Sequence, residues 1–509
     1  MKSRSDIAFA LLVAAYGLYL SAMVWRSSTV VDGERYFALG DDAMISMRYA
    51  RNFAEGHGLV WNRGEPPVEG YTNFLWVLVM AAAHALPLAA SKTSGVVQAL
   101  SVALLVANLF VIRRLAEGIG AGASGAIGAA LLTALYHPLN AWSLQGSELA
   151  LLVPLLGFAV AVAIRSVVTE RFSSAPYWIL GAASLVRPDA VVVHIGLLAG
   201  LVAVDRSRRA MHLTYGIGVL ILFTAAQTAF RLAYYGDWLP NTYYLKMTGY
   251  PTLWRIAWGI RDLAGFVWHR NWIVLALAAV GVYHIPKRGA IVASVVAAQF
   301  AYVAYVSPGA DNRFTTIVMP LVFVLTAVGV EALTATAGAR TDGLLMRRQA
   351  AWVCAVVAAV GIWMPPRAFR FRGFPLSVLE RDRALDELTT SDARIAVAAA
   401  GTLYFLARPG VDVLGKNDRT IARAQVHPSF RSFGDRYVSG HMKWDYTYSI
   451  GALAPDVVAE LWRNPEDAAP YLQAYEPTRI GSETLYLRRG SPHIRWDLLP
   501  YRLPSGAQQ

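Results

Sequence analysis

The chain has 509 residues, of which 56% are hydrophobic and only 16% charged, with a mean hydropathy of +0.40. A soluble domain carries roughly 45–50% apolar and about 25% charged residues, so a large water-soluble core is excluded and lipid is the main solvent. The net charge of +12 would suggest nucleic acid in a soluble protein, but many of the basic residues stand in short loops between apolar runs, where they orient helices; nucleic-acid binding is excluded.

Apolar runs of about 17–22 residues recur along the chain, each long enough to cross roughly 30 Å of hydrocarbon as a helix. The first, 6–25, follows Lys2 and Arg4. It is too long for a secretory h-region and no clean small-x-small cleavage site follows, so it reads as an uncleaved signal anchor. Further spans are predicted at 95–112, 122–140, 148–166, 175–187, 190–204, 212–234, 271–285, 289–306, 314–333 and 349–365, about 11 in all. This set puts the basic clusters Lys2/Arg4, Arg113-Arg114, 165–171, 206–209, Lys287-Arg288, Arg340 and Arg347-Arg348 on the cytoplasmic side, provided that 71–88 does not cross. That segment is then re-entrant or interfacial, and the aromatics of Tyr71-Thr72-Asn73-Phe74-Leu75-Trp76 suit a headgroup boundary. An alternative makes 71–90 a full span and merges 175–204 into one helix centred on Arg187-Pro188-Asp189, which strands Arg113-Arg114 outside and buries charge in the bilayer.

The expected fold is an α-helical polytopic membrane protein: a transmembrane domain over 1–365 with a first outer loop at 26–94, then a soluble extracytoplasmic α/β domain over 366–509. The latter is polar, with short alternating runs such as Ile395, Val397, Ala399 and Leu485, Leu487. Cys354 is the only cysteine and falls inside the last apolar run, so it is a packing residue; a disulfide, a thiolate metal site and a cysteine nucleophile are all excluded.

The chemistry-bearing residues gather in the parts assigned to the outer face. In Gly40-Asp41-Asp42-Ala43-Met44-Ile45-Ser46-Met47-Arg48-Tyr49-Ala50-Arg51-Asn52, Met44 with Met47 and Arg48 with Arg51 fall at helical spacing, which puts the acidic pair at a helix N-terminus. The plainer reading makes Asp41 a capping residue. Arg187-Pro188-Asp189 lies between two short apolar runs, where charge is costly unless paired, and an ion pair sealing a hairpin would account for it. Glu148 opens a span after Gly146-Ser147 and would serve equally as a cap. Arg313 begins the tenth span after Asp311-Asn312, and Lys246 follows an aromatic stretch; either could be an interfacial anchor. Carboxylates and cations on one membrane face suit an anionic headgroup whose tail stays in lipid. His194, about two turns below Arg187, reads first as a hydrogen-bonded intramembrane histidine. His57 has no metal-ligand partner at regular spacing, and no HExxH, Walker, GxGxxG or GxSxG arrangement stands in a credible context.

At these residues the sequence resembles the GT-C superfamily of polytopic glycosyltransferases, which use polyprenyl-phosphate sugars at the outer membrane face. The stretch from Gly40 through Asn52, then Gly56 to Asn62, Gly64-Glu65 and Val68-Glu69-Gly70-Tyr71-Thr72-Asn73-Phe74-Leu75-Trp76, is similar to the first loop of bacterial members, including the mycobacterial-type terminal arabinofuranosyltransferases. Ser147-Glu148, Leu185-Val186-Arg187-Pro188-Asp189, Tyr235 to Tyr244, Asp412 to Gly415, Asp418 to Arg423 and Gly440 to Asp445 look like further blocks of that group. Pro66-Pro67 and the Ser147 of Gly146-Ser147-Glu148 depart from its pattern.

The resemblance implies an inverting transferase of the bacterial plasma membrane, with polyprenyl-phosphate sugar as donor, a cell-envelope glycan or glycolipid as acceptor, and an extracytoplasmic site. It makes Asp41 the base. Asp42 would orient the acceptor or help hold a divalent ion such as Mg or Mn. Arg313, Lys246 and Arg187 become candidates for the donor phosphate, and Glu148, Asp189, Glu69 and His194 acceptor-side or supporting groups. Arabinofuranose is favoured as the sugar, with a hexose such as mannose as the alternative. A lipid-linked-sugar transporter would be expected to show inverted repeats, which the sequence lacks; a non-catalytic scaffold would act only through its outer domain.

Overall fold

The computed structural model describes residues 4–309, 313–338, 352, 363, 369–371, 375–435 and 437–499. The span expected at 349–365, with Cys354, lies outside these residues except for Trp352 and Trp363, as do Lys2, Asp311-Asn312, Arg340 and Arg347-Arg348. Among the described residues, five helices are long and apolar enough to cross a membrane: Arg4–Ser27, Ala90–Ile119, Leu149–Val168, Arg206–Tyr235 and Pro286–Val306. Shorter apolar helices cover Phe74–His84, Ala123–Leu135, Ala175–Val186, Ala190–Val204 and Met319–Ala335, and Trp272–His284 pairs with Thr252–His269 across a sharp bend.

The segment 71–88 contains one helix, Phe74–His84. Its 11 residues extend only about 16 Å, short of a bilayer crossing. The stretch 175–204 is not one helix: Ala175–Val186 stops before Arg187, whose backbone is extended (φ −159°, ψ 120°) as expected ahead of a proline, and the next helix starts at Ala190.

The chain divides into two compact units. The first comprises Met1–Arg26, Gln98–Gln227 and Arg255–Phe371, and its elements among the described residues are helices. Lipid removes the hydrophobic drive between helices, so close backbone contact must supply the packing. Gly281 and Gly329 provide it: a Cβ on either would stand 2.1 Å or 2.0 Å from the Leu325 or Leu277 carbonyl oxygen of the other helix. Glu331 closes the open end of a neighbouring helix, accepting the Gly122 and Gly125 N–H groups at 2.8 Å each where the dipole favours an anion.

The second unit comprises Ser27–Val97, Thr228–Trp254 and Arg372–Gln509. It begins with the hairpin β1 (Thr29–Val31) and β2 (Glu34–Tyr36), turned by Asp32-Gly33 with positive φ at both residues. Its core is a five-stranded sheet of β3 (Ile395–Val397), β4 (Gly410–Asp412), β5 (Val457–Val458), β6 (Tyr475–Ile480) and β7 (Glu483–Arg488). The order is β4-β3-β5-β7-β6; the first three strands are parallel, and β7 is antiparallel to both β5 and β6. The segment 27–97 is bound into this sheet. Asn62 exchanges two hydrogen bonds with the Gly410 backbone, at 2.9 and 2.8 Å, as a paired strand residue would. Arg48, buried, donates to the carbonyls of Trp61 (2.7 Å), Leu403 (3.0 Å) and Arg408 (2.7 Å) and to Asn62 Oδ1 (2.9 Å).

Candidate active site

The helix Asp41–Ala54 is buried all round from Ala43 to Ala50, Met44, Ile45, Met47 and Tyr49 supplying the apolar surface, and it starts after Gly40, which makes no side-chain cap. Asp41 is therefore the first helical residue, and its carboxylate does not cap its own helix. Instead Asp41 Oδ1 accepts the Gly401 N–H at 2.8 Å, and Oδ2 lies 3.2 Å from Lys416 Nζ. Asp42 Oδ1 accepts from the same ammonium at 2.5 Å. The Lys416 side chain is 10% exposed, against 31% for Asp41 and 45% for Asp42, so the cation sits beneath the pair and the acids open outward.

Lys416 is itself carried by a rigid loop. Asp412 Oδ1 takes the N–H groups of Leu414 and Gly415 (3.0 Å each), while Oδ2 takes the backbone and side-chain N–H of Asn417 (2.8 Å each). Asn241 Nδ2 donates to the carbonyls of Gly415 (3.0 Å), Lys416 (2.9 Å) and Asp418 (3.2 Å). Asp418 then caps the helix Arg419–Arg423 through the Ile421 N–H. Gly415 has φ +77°, the left-handed turn that glycine permits.

Electrostatics follow from this arrangement. Loss of solvent is the largest influence on Asp41 and raises its pKa; Lys416 and the Gly401 N–H work against it, and Asp42 adds to it. Burial opposes charge on Lys416, but Asp42 and Asp41 outweigh it and its pKa is raised. Asp412 is pushed up to about 6 by burial, against the pull of Asn417 and Lys416. Burial, then the Lys416 charge, lowers His441, which also feels Asp42 and Lys246.

The sequence candidates fall into two groups. Asp41, Asp42, Lys246 and Glu69 belong to the second unit. There Lys246 stands in the helix Asn241–Met247 beside Gly440, and Glu69 is locked in a buried pair with Arg231 (Nε–Oε2 2.5 Å). Glu148, Arg187, Asp189, His194 and Arg313 belong to the first unit. Arg187 bonds Glu148 and, at 2.6 Å, Asp189, the ion-paired hairpin that charge burial demanded. Arg313 opens the short helix Arg313–Thr316, separate from Met319–Gly338, with its guanidinium over the rings of Trp142 and Phe314. His194 Nε2 lies 2.9 Å from the Gly216 carbonyl and the ring stacks on Tyr177, which matches the plainer reading of it.

Sequence reasoning missed Lys416, Asn417 and Gly401, and gave Asp412 and Asn241 only as members of family-like blocks, without a role. A signal for Lys416 and Asn417 was their place between the blocks Asp412 to Gly415 and Asp418 to Arg423, after an aspartate inside the apolar run Gly410-Val411-Asp412-Val413-Leu414. A divalent ion does not fit the acidic pair, because Lys416 Nζ holds the place between the two carboxylates. Nor do three or more His, Cys, Asp or Glu side chains come together as metal ligands among the described residues.

The long apolar helices are those of a multi-pass membrane protein, and the fold is shared with solved structures of ArnT and of an archaeal oligosaccharyltransferase. ArnT from Cupriavidus metallidurans in the apo state aligns over 94% of this chain and 98% of its own, with TM-score 0.57 and 13% identity. Its structure bound to undecaprenyl phosphate gives TM-score 0.58 and 14% identity over 96% and 98% of the two chains. The Archaeoglobus fulgidus oligosaccharyltransferase complex with Zn and sulfate gives TM-score 0.61 at 11% identity, over 94% of this chain and 73% of that one. No protein-family model and no curated protein matches the chain.

Proposed function

We propose that this chain is an inverting glycosyltransferase of the bacterial plasma membrane, with about 11 spans and an extracytoplasmic α/β domain. It moves a sugar, arabinofuranose favoured, from a polyprenyl-phosphate donor to a cell-envelope glycan or glycolipid. The observation that carries this reading is the pair Asp41-Asp42 at a helix N-terminus, opening outward and held from beneath by Lys416 and the Gly401 N–H. The shared fold with a protein crystallised with undecaprenyl phosphate supports a lipid-phosphate donor.

In this reading Asp41 accepts the proton of an acceptor hydroxyl as that oxygen bonds to the anomeric carbon. The bond from the anomeric carbon to the phosphate oxygen breaks on the opposite face, and polyprenyl phosphate leaves with its electron pair. Asp42 orients the acceptor. Lys246 neutralises the departing phosphate. Arg187 holds the Glu148 and Asp189 carboxylates in place. Glu69 supports the second unit through Arg231. No step passes through a metal.

The test is transfer by the purified chain from a synthetic polyprenyl-phosphate sugar to a saccharide acceptor, with arabinofuranose and mannose donors in parallel. Asp41→Asn should lose about 10²–10⁴-fold in turnover. Loss confined to Asp42→Asn would move the base by one residue; unchanged turnover in both variants would end the mechanism. A preference for mannose would reassign the sugar.

A further inference from the structure

We propose that Lys416 is the built-in cation of the site: it holds Asp41 and Asp42 in the paired, ionised arrangement a divalent ion would otherwise impose, offers its third N–H to an anionic oxygen of the donor, and so makes transfer metal-independent. The proposal rests on the transferase reading above and names the group that manages charge there.

Three observations carry it. An ammonium has three donors, and Lys416 spends two, on Asp41 Oδ2 at 3.2 Å and Asp42 Oδ1 at 2.5 Å. The side chain is nine-tenths buried, yet the acids it meets are exposed by a third to a half, so the remaining N–H belongs to a site that opens to substrate. Its backbone is fixed on two sides. Four N–H groups converge on Asp412 and three carbonyls of the loop converge on Asn241, so the amine cannot drift as a surface lysine does.

Two neighbouring carboxylates repel, and the ammonium placed between them relieves that repulsion. As the phosphate leaves with its electron pair, the nearby ammonium is a fixed donor that needs no recruitment from solution. Lysine serves here better than arginine, because a compact point charge can meet two carboxylates and a third oxygen in three directions.

The experiment has two parts. In the first, the chelator-treated full chain in detergent is assayed for transfer and titrated with Mn2+ by electron paramagnetic resonance. Transfer should persist in excess EDTA, and no Mn2+ site should be found. In the second, Lys416→Ala should lose about 10²–10³-fold in turnover, Lys416→Arg should recover part of it, and added ethylammonium should restore the alanine variant in a saturable manner. The alanine variant should also gain a Mn2+ site that Asp42→Asn removes.

Abolition of wild-type transfer by chelator with recovery on Mn2+, or a wild-type Mn2+ site that depends on Asp42, would overturn the assignment. So would full turnover by Lys416→Ala. The wild-type titration decides the matter even if the alanine variant does not fold. If the wild-type chain transfers no polyprenyl-phosphate sugar at all, the transferase reading fails, while the Mn2+ titration still decides whether Lys416 stands as the cation of the pair.

Discussion

Replacing Gly401 with alanine should cripple transfer while leaving the fold standing. A Cβ at that position would lie 2.3 Å from the Asp41 carbonyl oxygen and 2.9 Å from its Oδ1. A carbon and a non-bonded oxygen settle at about 3.3 Å, so the start of the Asp41–Ala54 helix must retreat by about 1 Å. Neither contact is with a flexible tip, since one atom is backbone and the other is pinned by Gly401 and Lys416. A misplacement of that size at a reacting group costs on the order of 10²-fold, and kcat should fall by that factor with donor KM changed far less. Gly410→Ala is the control: its Cβ would meet the Trp61 ring at 2.3 Å, overpacking the same unit without touching Asp41. Thermal unfolding followed by tryptophan fluorescence, beside the transfer assay, separates the two. Wild-type kcat in Gly401→Ala would refute the reasoning, as would rate losses in both variants that simply track the loss in Tm.

The raised Asp41 pKa predicts that kcat/KM falls on the acid side at a higher pH than an ordinary carboxylate would give, since the base must be ionised. Asp42→Asn removes a negative neighbour and should move that limb to lower pH, and Lys416→Met removes a positive one and should move it higher; a pH–rate series showing the reverse order would count against Asp41 as base. Asn241→Ala leaves three loop carbonyls without their donor, at about 1–3 kcal/mol for each buried one, so Tm should drop and turnover should fall at least about tenfold as Lys416 loosens. Arg48→Met strips the donors from four acceptors inside the second unit and should cost roughly 3 kcal/mol or more, read as a lower Tm; an unchanged Tm would mean the carbonyls find other partners. In the first unit, Gly329→Leu must force apart two helices whose backbones touch, and a clear fall in Tm is expected; an unshifted Tm would show that this contact does not hold the helices.

The helices were legible because lipid leaves a coarse mark: apolar runs bounded by charge. The break at Arg187 was legible too, since a pre-proline residue between two short runs has one backbone preference. The Asp41-Asp42 helix start could be read from the spacing of Met44 and Met47. The cation beneath that pair could not, because it stands 374 residues along the chain from Asp42, in a loop whose own pattern is only glycine and polar residues. Sequence periodicity reports which face of an element is buried, not what it is buried against. For the same reason the short runs at 395–397 and 484–487 announced strands, while the order β4-β3-β5-β7-β6 depends on pairings no local pattern encodes. Glu148, Arg187 and Asp189 lay at the opposite extreme: a charge cluster between apolar runs nearly dictates mutual pairing.

Asn62 and Arg48 bind the early segment 27–97 to strands that are made more than 300 residues later. During synthesis the helix that bears Asp41 therefore lacks these partners of Arg48 and Asn62 until residues 403–410 have been made. A nascent or truncated chain that lacks these later residues thus carries Asp41 without the Gly401 and Lys416 contacts that orient it.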